Sequence, residues 1–257
     1  MVRFTFLAAA LVAATTAAAD CTREQLLAVA SAYADAQAAG NTSGLKLASN
    51  FTYMENNKAA TLSSGVLSKK LTLDLHRATA DPLQCAAYAM LISAAGPFVT
   101  ATQIWMSADD PTAITKIDTI AATTGDLFFN PRKTLQYVSQ HDWSDVPAAS
   151  RVPRAELKRI GDAYLDMWTD AKAADSIPWG ASCMRVEGSS ITSPCGVSLP
   201  HGGSRKNNGN RRYVIDEVLQ SVDVLCSFDS LGDMPDSHEV RVNGGKVEYV
   251  YTVTVIN

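Results

Sequence analysis

The segment 236–255, DSHEVRVNGGKVEYVYTVTV, leaves the chain few choices of fold. Asn243-Gly244-Gly245 lies between two alternating runs, and these residues tolerate the positive φ that a tight hairpin turn needs. Val240 and Val242 alternate with Glu239 and Arg241 before the turn. Val247, Tyr249, Tyr251, Val253 and Val255 alternate with Glu248, Val250, Thr252 and Thr254 after it. A looser copy lies upstream, where 102–106 (TQIWM) and 113–121 (AITKIDTIA) flank a turn around Asp109, Asp110 and Pro111. Its register sets Ile104 against Val240, Trp105 against Arg241 and Thr119 against Thr252.

The duplication extends beyond the hairpin. A helix is predicted over 23–39, with Leu26, Leu27, Val29, Ala30 and Tyr33 at helical spacing, Thr22 as cap and Gly40 as stop. A short strand follows at 51–55, then a polar turn at 56–58. A helical or irregular stretch covers 64–80, and 85–94 reads as a buried strand ended by Gly96-Pro97. Residues 130–153 have proline near both ends and no sustained period, so they form a linker. Then the series restarts. In a helix over 154–171, Leu157, Ile160, Ala163, Tyr164 and Trp168 match Leu26, Val29, Ala32, Tyr33 and Gln37 at one fixed offset. Residues 182–187 stand for 52–55, with Glu187 on Glu55. After a Gly/Ser/basic insertion at 188–212, residues 213–228 stand for 81–91.

A period of over a hundred residues means a duplicated domain, not a solenoid. The expected organisation is a first unit over 20–129, the linker 130–153 and a second unit over 154–257. The expected class is α+β, with helices packed on curved antiparallel sheets and a pseudo-twofold between the units. The last strands are partly apolar on both faces, so each sheet should be covered by its own helices and by the other unit.

The first residues, MVRFTFLAAALVAATTAAAD, give a basic start, an apolar run and Ala17-Ala18-Ala19. That pattern predicts a cleaved leader over 1–19 and a secreted or secretory-pathway protein with no membrane span in the mature chain. Sequons at Asn41 and Asn50 agree, and would lie at the surface. Five cysteines (Cys21, Cys85, Cys183, Cys195 and Cys226) allow at most two disulfides. Cys183 and Cys195 bracket a Gly/Ser/Pro-rich loop and are the preferred pair; Cys226, in an apolar strand, reads as a buried small hydrophobe. With 47% hydrophobic and 19% charged residues the chain can build a core, and a net charge of −4 gives no reason to seek nucleic acid. No CxxC, clustered histidines, GxGxxG or P-loop appears, so neither metal nor nucleotide cofactor is expected.

The chain resembles the NTF2-like superfamily, which includes SnoaL-type cyclases and ketosteroid isomerases. It is similar in particular to secreted fungal proteins of unassigned function built from two such units. The resemblance rests on Arg154-Ala155-Glu156-Leu157, Gly161-Asp162-Ala163-Tyr164 and Cys183-Met184-Arg185-Val186-Glu187-Gly188. It continues through Arg212-Tyr213-Val214-Ile215-Asp216-Glu217, the segment 235–242 (PDSHEVRV) and Gly245-Lys246-Val247. It implies cone-shaped units with an apolar pocket between sheet and helices. There a helix tyrosine donates to a developing oxyanion while a carboxylate moves the proton.

Tyr164 or Tyr33 could be that donor, and Glu187 or Glu55 that carboxylate. Arg185 lies two residues from Glu187 on the same strand face, so the two can pair. Asp236 and His238 also share a face, at a spacing that lets a carboxylate orient an imidazole for acid–base work. Trp168, Trp179, Arg241 and Tyr249 complete the candidate substrate contacts. Each residue also fits a structural role: the tyrosines as core residues with a satisfied hydroxyl, Arg185–Glu187 as a strand pair, Asp236 as a turn cap. The implied function is a cofactor-independent cyclase or isomerase acting on a hydrophobic, polyketide-type intermediate, beside other enzymes of a biosynthetic pathway. A secreted binder of small molecules, or a host-interaction protein, uses the same cavity without catalysis.

Overall fold

The computed structural model describes residues 21–256; the expected leader lies outside the described residues. The first series runs α1 (Arg23–Ala39), β1 (Leu47–Glu55), β2 (Lys58–Ala59), β3 (Leu75–Asp81), β4 (Ala86–Ser93), β5 (Phe98–Met106) and β6 (Ile114–Ala122). A short helix, α2 (Pro131–Val138), intervenes. The second series is α3 (Arg154–Asp166), β7 (Trp179–Glu187), β8 (Ser190–Thr192), β9 (Gly209–Asp216), β10 (Ser221–Phe228), β11 (Met234–Asn243) and β12 (Lys246–Thr254). The fold is α+β. Each series makes one six-stranded mixed sheet, ordered β2-β1-β6-β5-β4-β3 and β8-β7-β12-β11-β10-β9, so the two topologies match strand for strand. In both, the last strand runs parallel to the first long one. Thr119 pairs with Glu55 and Thr102, as Thr252 pairs with Glu187 and His238. Thr102 and His238 therefore hold the same place in the two units.

Local chemistry accounts for the element ends. A capping box of Thr22 and Gln25 starts α1, and Gly40 at φ 69° ends it. At the β11–β12 turn, Gly244 and Gly245 have φ of 56° and 73°, the double positive φ of a two-residue hairpin loop. Two expectations need correction. Residues 64–80 hold a single 3-10 turn, Val66–Ser68, and then β3, because pairing with β4 from Leu75 to Asp81 outweighs local pattern. The stretch 130–153 is not featureless: the Asn130 side chain accepts from the Lys133 amide, Pro131 opens the first turn, and α2 follows.

Each sheet is covered twice. α1 packs on one face of the first sheet through Leu26, Ala30 and Tyr33. α3 packs on the second through Leu157, Ile160 and Tyr164. The remaining faces meet each other, burying Tyr88, Met90, Ile92, Leu225, Tyr251 and Val253 in one shared core. Two disulfides, Cys21–Cys85 and Cys183–Cys195, belong to a chain that matures in an oxidising compartment, while Cys226 is free and buried. Asn41 and Asn50 are both exposed.

The two units are joined reciprocally. At the start of α3, Arg154 donates to both oxygens of Asp81 at the end of β3, at 2.8 and 2.6 Å. At the start of α1, Arg23 donates to both oxygens of Asp216 at the end of β9, at 3.5 and 3.2 Å. Asp81 also accepts from the Ile215 amide and Asp216 from the Ala80 amide, each at 2.9 Å. Both carboxylates are fully buried. Such mutual contact is the signature of an isologous interface, here within one chain.

Between the sheets, Asp223 pairs across the strands with Glu239. Arg77 grips Glu239 with two donors. Asp223 receives neutral donors only from Gln103, at 2.7 Å, and Ser237, at 2.8 Å. Burial, reinforced by the Glu239 charge, pushes the Asp223 carboxyl well above its usual range.

Two outcomes are expected. Asp81→Ala leaves Arg154 and the Ile215 amide without their buried partner and should cost about 3–5 kcal/mol in urea unfolding. Lys158→Ala, which breaks an exposed pair with Asp162, should cost less than about 1 kcal/mol. Asp223 is raised in the folded state, so its stabilisation is complete at low pH and is lost as pH climbs above the unfolded value of about 3.9. Asp223→Asn should therefore melt above wild type at pH 7, the gap closing near pH 3–4.

Candidate functional site

Tyr164, on the face of α3 that meets the second sheet, is fully buried and its hydroxyl donates to Glu187 Oε1 at 3.1 Å. Glu187 closes β7 with its side chain 30% exposed, which makes it the one carboxylate of this group in reach of solvent. Two residues back on the same face, Arg185 places Nε 3.2 Å from the other Glu187 oxygen. The loop tied down by Cys183–Cys195 aims the Cys195 and Val197 carbonyls at the Arg185 guanidinium, at 3.2 and 3.3 Å. Arg185 is thereby fixed and hands Glu187 one orientation. Burial first, then the Glu187 charge, raise Tyr164 well above the usual phenol range, so it remains a proton donor.

Beneath this pair lies the second expected pair. His238 Nε2 sits 2.7 Å from Asp236 Oδ2, and Thr254 donates to Asp236 Oδ1 at 2.9 Å. The imidazole contacts the rings of Tyr164 at 5.2 Å and Phe228 at 5.5 Å between centroids. Trp168 packs edge-on against Phe228 and Tyr164, and Trp179 against Tyr164. Strand alternation and the hairpin register thus bring Tyr164, Glu187, Arg185, Asp236, His238, Trp168 and Trp179 into one neighbourhood. The pocket implied beneath the leading helix is occupied by these rings. His238 and Asp236 are buried behind them, away from the solvent-facing edge.

Arg241 and Tyr249 do not join this group. Arg241 is three residues from His238, an odd step along a strand, and so points to the opposite face. There it donates to the Ser144 carbonyl at 2.8 Å and lies 5.2 Å from the Trp143 ring. Tyr249 stacks on His141 at 4.0 Å. With Arg77 set 3.6 Å over Trp143, these residues anchor the linker to the seam between the sheets. Sequence reasoning missed this role of Arg77, His141 and Trp143; the available signal was a His-Asp-Trp run inside a linker otherwise poor in aromatic residues.

The first unit supplies an internal reference. Tyr33 bonds Thr102 at 2.9 Å, and Thr102 bonds Thr119 at 3.1 Å, where the second unit has His238 and Thr252. Glu55 is taken up by the Tyr53 hydroxyl and by the Val66 amide at 2.7 Å. In the first unit, then, the counterparts of Tyr164 and Glu187 are held by partners within that unit. Clefts on the surface lie elsewhere. One of about 510 Å³ runs over the charged outer side of α3, past Lys158, Asp162, Asp166 and Lys172, where ion pairs are solvated. One of about 270 Å³ follows α1, past Val29, Leu45 and Ile114.

A family model described as a domain of unknown function, DUF8021, matches residues 150–254, from the end of the linker to the end of β12. The matched segment holds every member of the Tyr164–Glu187 and His238–Asp236 group. Comparison with curated proteins finds no match.

His141 offers a measurable consequence of the linker's anchoring. Burial, then the nearby Arg77 charge, lower its pKa to about 4. A histidine depressed in the folded state lends stability above its unfolded value of about 6.5 and loses it as pH falls toward 4. His141→Phe should flatten the melting-temperature profile between pH 6.5 and 4 relative to wild type.

Proposed function

We propose that the chain is a tandem NTF2-like protein whose second unit is a ketosteroid-isomerase-like cyclase or isomerase. Its substrate is a hydrophobic, polyketide-type intermediate met in the secretory pathway, and its chemistry uses no cofactor. The observation that carries the reading is the 3.1 Å bond from a buried Tyr164 hydroxyl to a solvent-reachable Glu187. The counterparts of these groups in the first unit are consumed by internal partners.

In this reading Glu187 takes a proton from carbon next to a substrate carbonyl. Tyr164, held protonated, turns its hydroxyl to the oxygen on which negative charge develops. Arg185 orients the carboxylate, and Trp168 and Trp179 flank the substrate. His238 and Asp236 position the Tyr164 ring from behind and touch no substrate. The filled space beneath α3 favours a second reading, in which the rings part for an apolar ligand that is bound and not converted.

Both readings meet in one experiment. Hydrophobic cyclic ketones are incubated with the protein in D₂O, and deuterium uptake beside the carbonyl is followed by mass spectrometry. Wild type should accelerate uptake, Glu187→Gln should lower that rate about 10²–10⁴-fold, and Tyr164→Phe about 10²–10³-fold. Undiminished exchange in Glu187→Gln would remove the acid–base assignment. Saturable binding without exchange would favour the binder.

A further inference from the structure

The buried residues behind the Tyr164 ring make a set that the acid–base chemistry does not use. We propose that Cys226, Asp236 and His238 form a buried three-ligand site for a divalent transition metal of the zinc(II) type. Their ligand atoms all lie within 4.8 Å of one another. Each residue is essentially inaccessible, at 0–2% exposure. Cys226 and Asp236 are cross-strand partners, and His238 follows two residues on, so the sheet itself holds all three on one face.

Three observations point to a ligand. First, His238 turns Nε2 to within 2.7 Å of Asp236 Oδ2, so a nitrogen and an oxygen donor converge in a fully buried place. Second, the first unit carries Leu91, Thr100 and Thr102 at the same register positions, with Leu91 facing Thr100 as Cys226 faces Asp236. All three positions change together from non-ligands to ligands, in one unit only. Third, the charges sum to zero: a thiolate, a carboxylate and a neutral imidazole around a dication are compatible with a dry interior, where an unbalanced charge is not.

One sulfur, one nitrogen and one oxygen donor suit zinc and cobalt(II), whose bonds of about 2.0–2.3 Å put ligand atoms roughly 3.5 Å apart. Thr254, donating to the second oxygen of Asp236, is the outer partner that such a carboxylate ligand needs. Loading releases the thiol proton of Cys226 and fixes β10 to β11 under α3. The site is structural and meets the Glu187–Tyr164 pair only through the packing of His238 on the Tyr164 ring.

The test uses the full mature chain, stripped with EDTA and then unfolded in guanidinium with its disulfides intact. It is refolded with cobalt(II) alone. One equivalent should bind, with a near-ultraviolet thiolate-to-cobalt band. Cys226→Ser should lose the thiolate band, and Thr254→Val should weaken binding about 10–100-fold. Glu187→Gln should bind cobalt as wild type does while losing exchange activity, which separates this site from the catalytic reading. Binding below a tenth of an equivalent in wild type would overturn the proposal. So would an unchanged spectrum in Cys226→Ser, or unchanged affinity in Thr254→Val.

Discussion

Everything in the molecule leans on the contact between the two sheets. Nearly every residue of β4, β5, β10 and β11 is buried, polar ones such as Gln103, Asp223 and Glu239 included, so neither face of either sheet is left to water along these strands. The second apolar face of each sheet has no partner but the other sheet. Hydrophobic burial supplies the attraction but no orientation. Orientation comes from Arg154 on Asp81 and Arg23 on Asp216, each binding the first turn of one unit's helix to the end of a strand in the other. Paired buried charges are weak evidence of net stability but tolerate very few alternative arrangements.

Within this shared frame the two units differ in their polar side chains. Beneath the first unit's helix the polar groups are held locally: Tyr33 on Thr102, Glu55 on Tyr53 and Val66. The second has Arg185 in place of Tyr53, His238 in place of Thr102 and Cys226 in place of Leu91.

Much of this was legible in the chain. The Asn-Gly turn and its alternating arms gave β11 and β12. The fixed offset from Leu26–Tyr33 to Leu157–Tyr164 exposed the duplication, and Glu187 fell on Glu55 as the strand register has it. Arg185 with Glu187, and Asp236 with His238, could be paired because strand periodicity is short and local. Arg241 and Tyr249 were grouped with the candidate substrate contacts, but Arg241 is an odd number of residues from His238 and lies on the opposite face, beside Ser144 and Trp143. Asp81, Asp223 and Arg77 matter through partners 73, 120 and 162 residues away, and no local pattern announces such pairs. Cys226 read rightly as buried, but its neighbours Asp236 and His238 became visible only once β10 lay beside β11.

The central claim is that two units fold as one body because their sheets share a core. Differential scanning calorimetry of the disulfide-intact mature chain tests it most directly. The account requires a single transition whose calorimetric and van't Hoff enthalpies agree. Two resolved transitions, or a calorimetric enthalpy about twice the van't Hoff value, would contradict it.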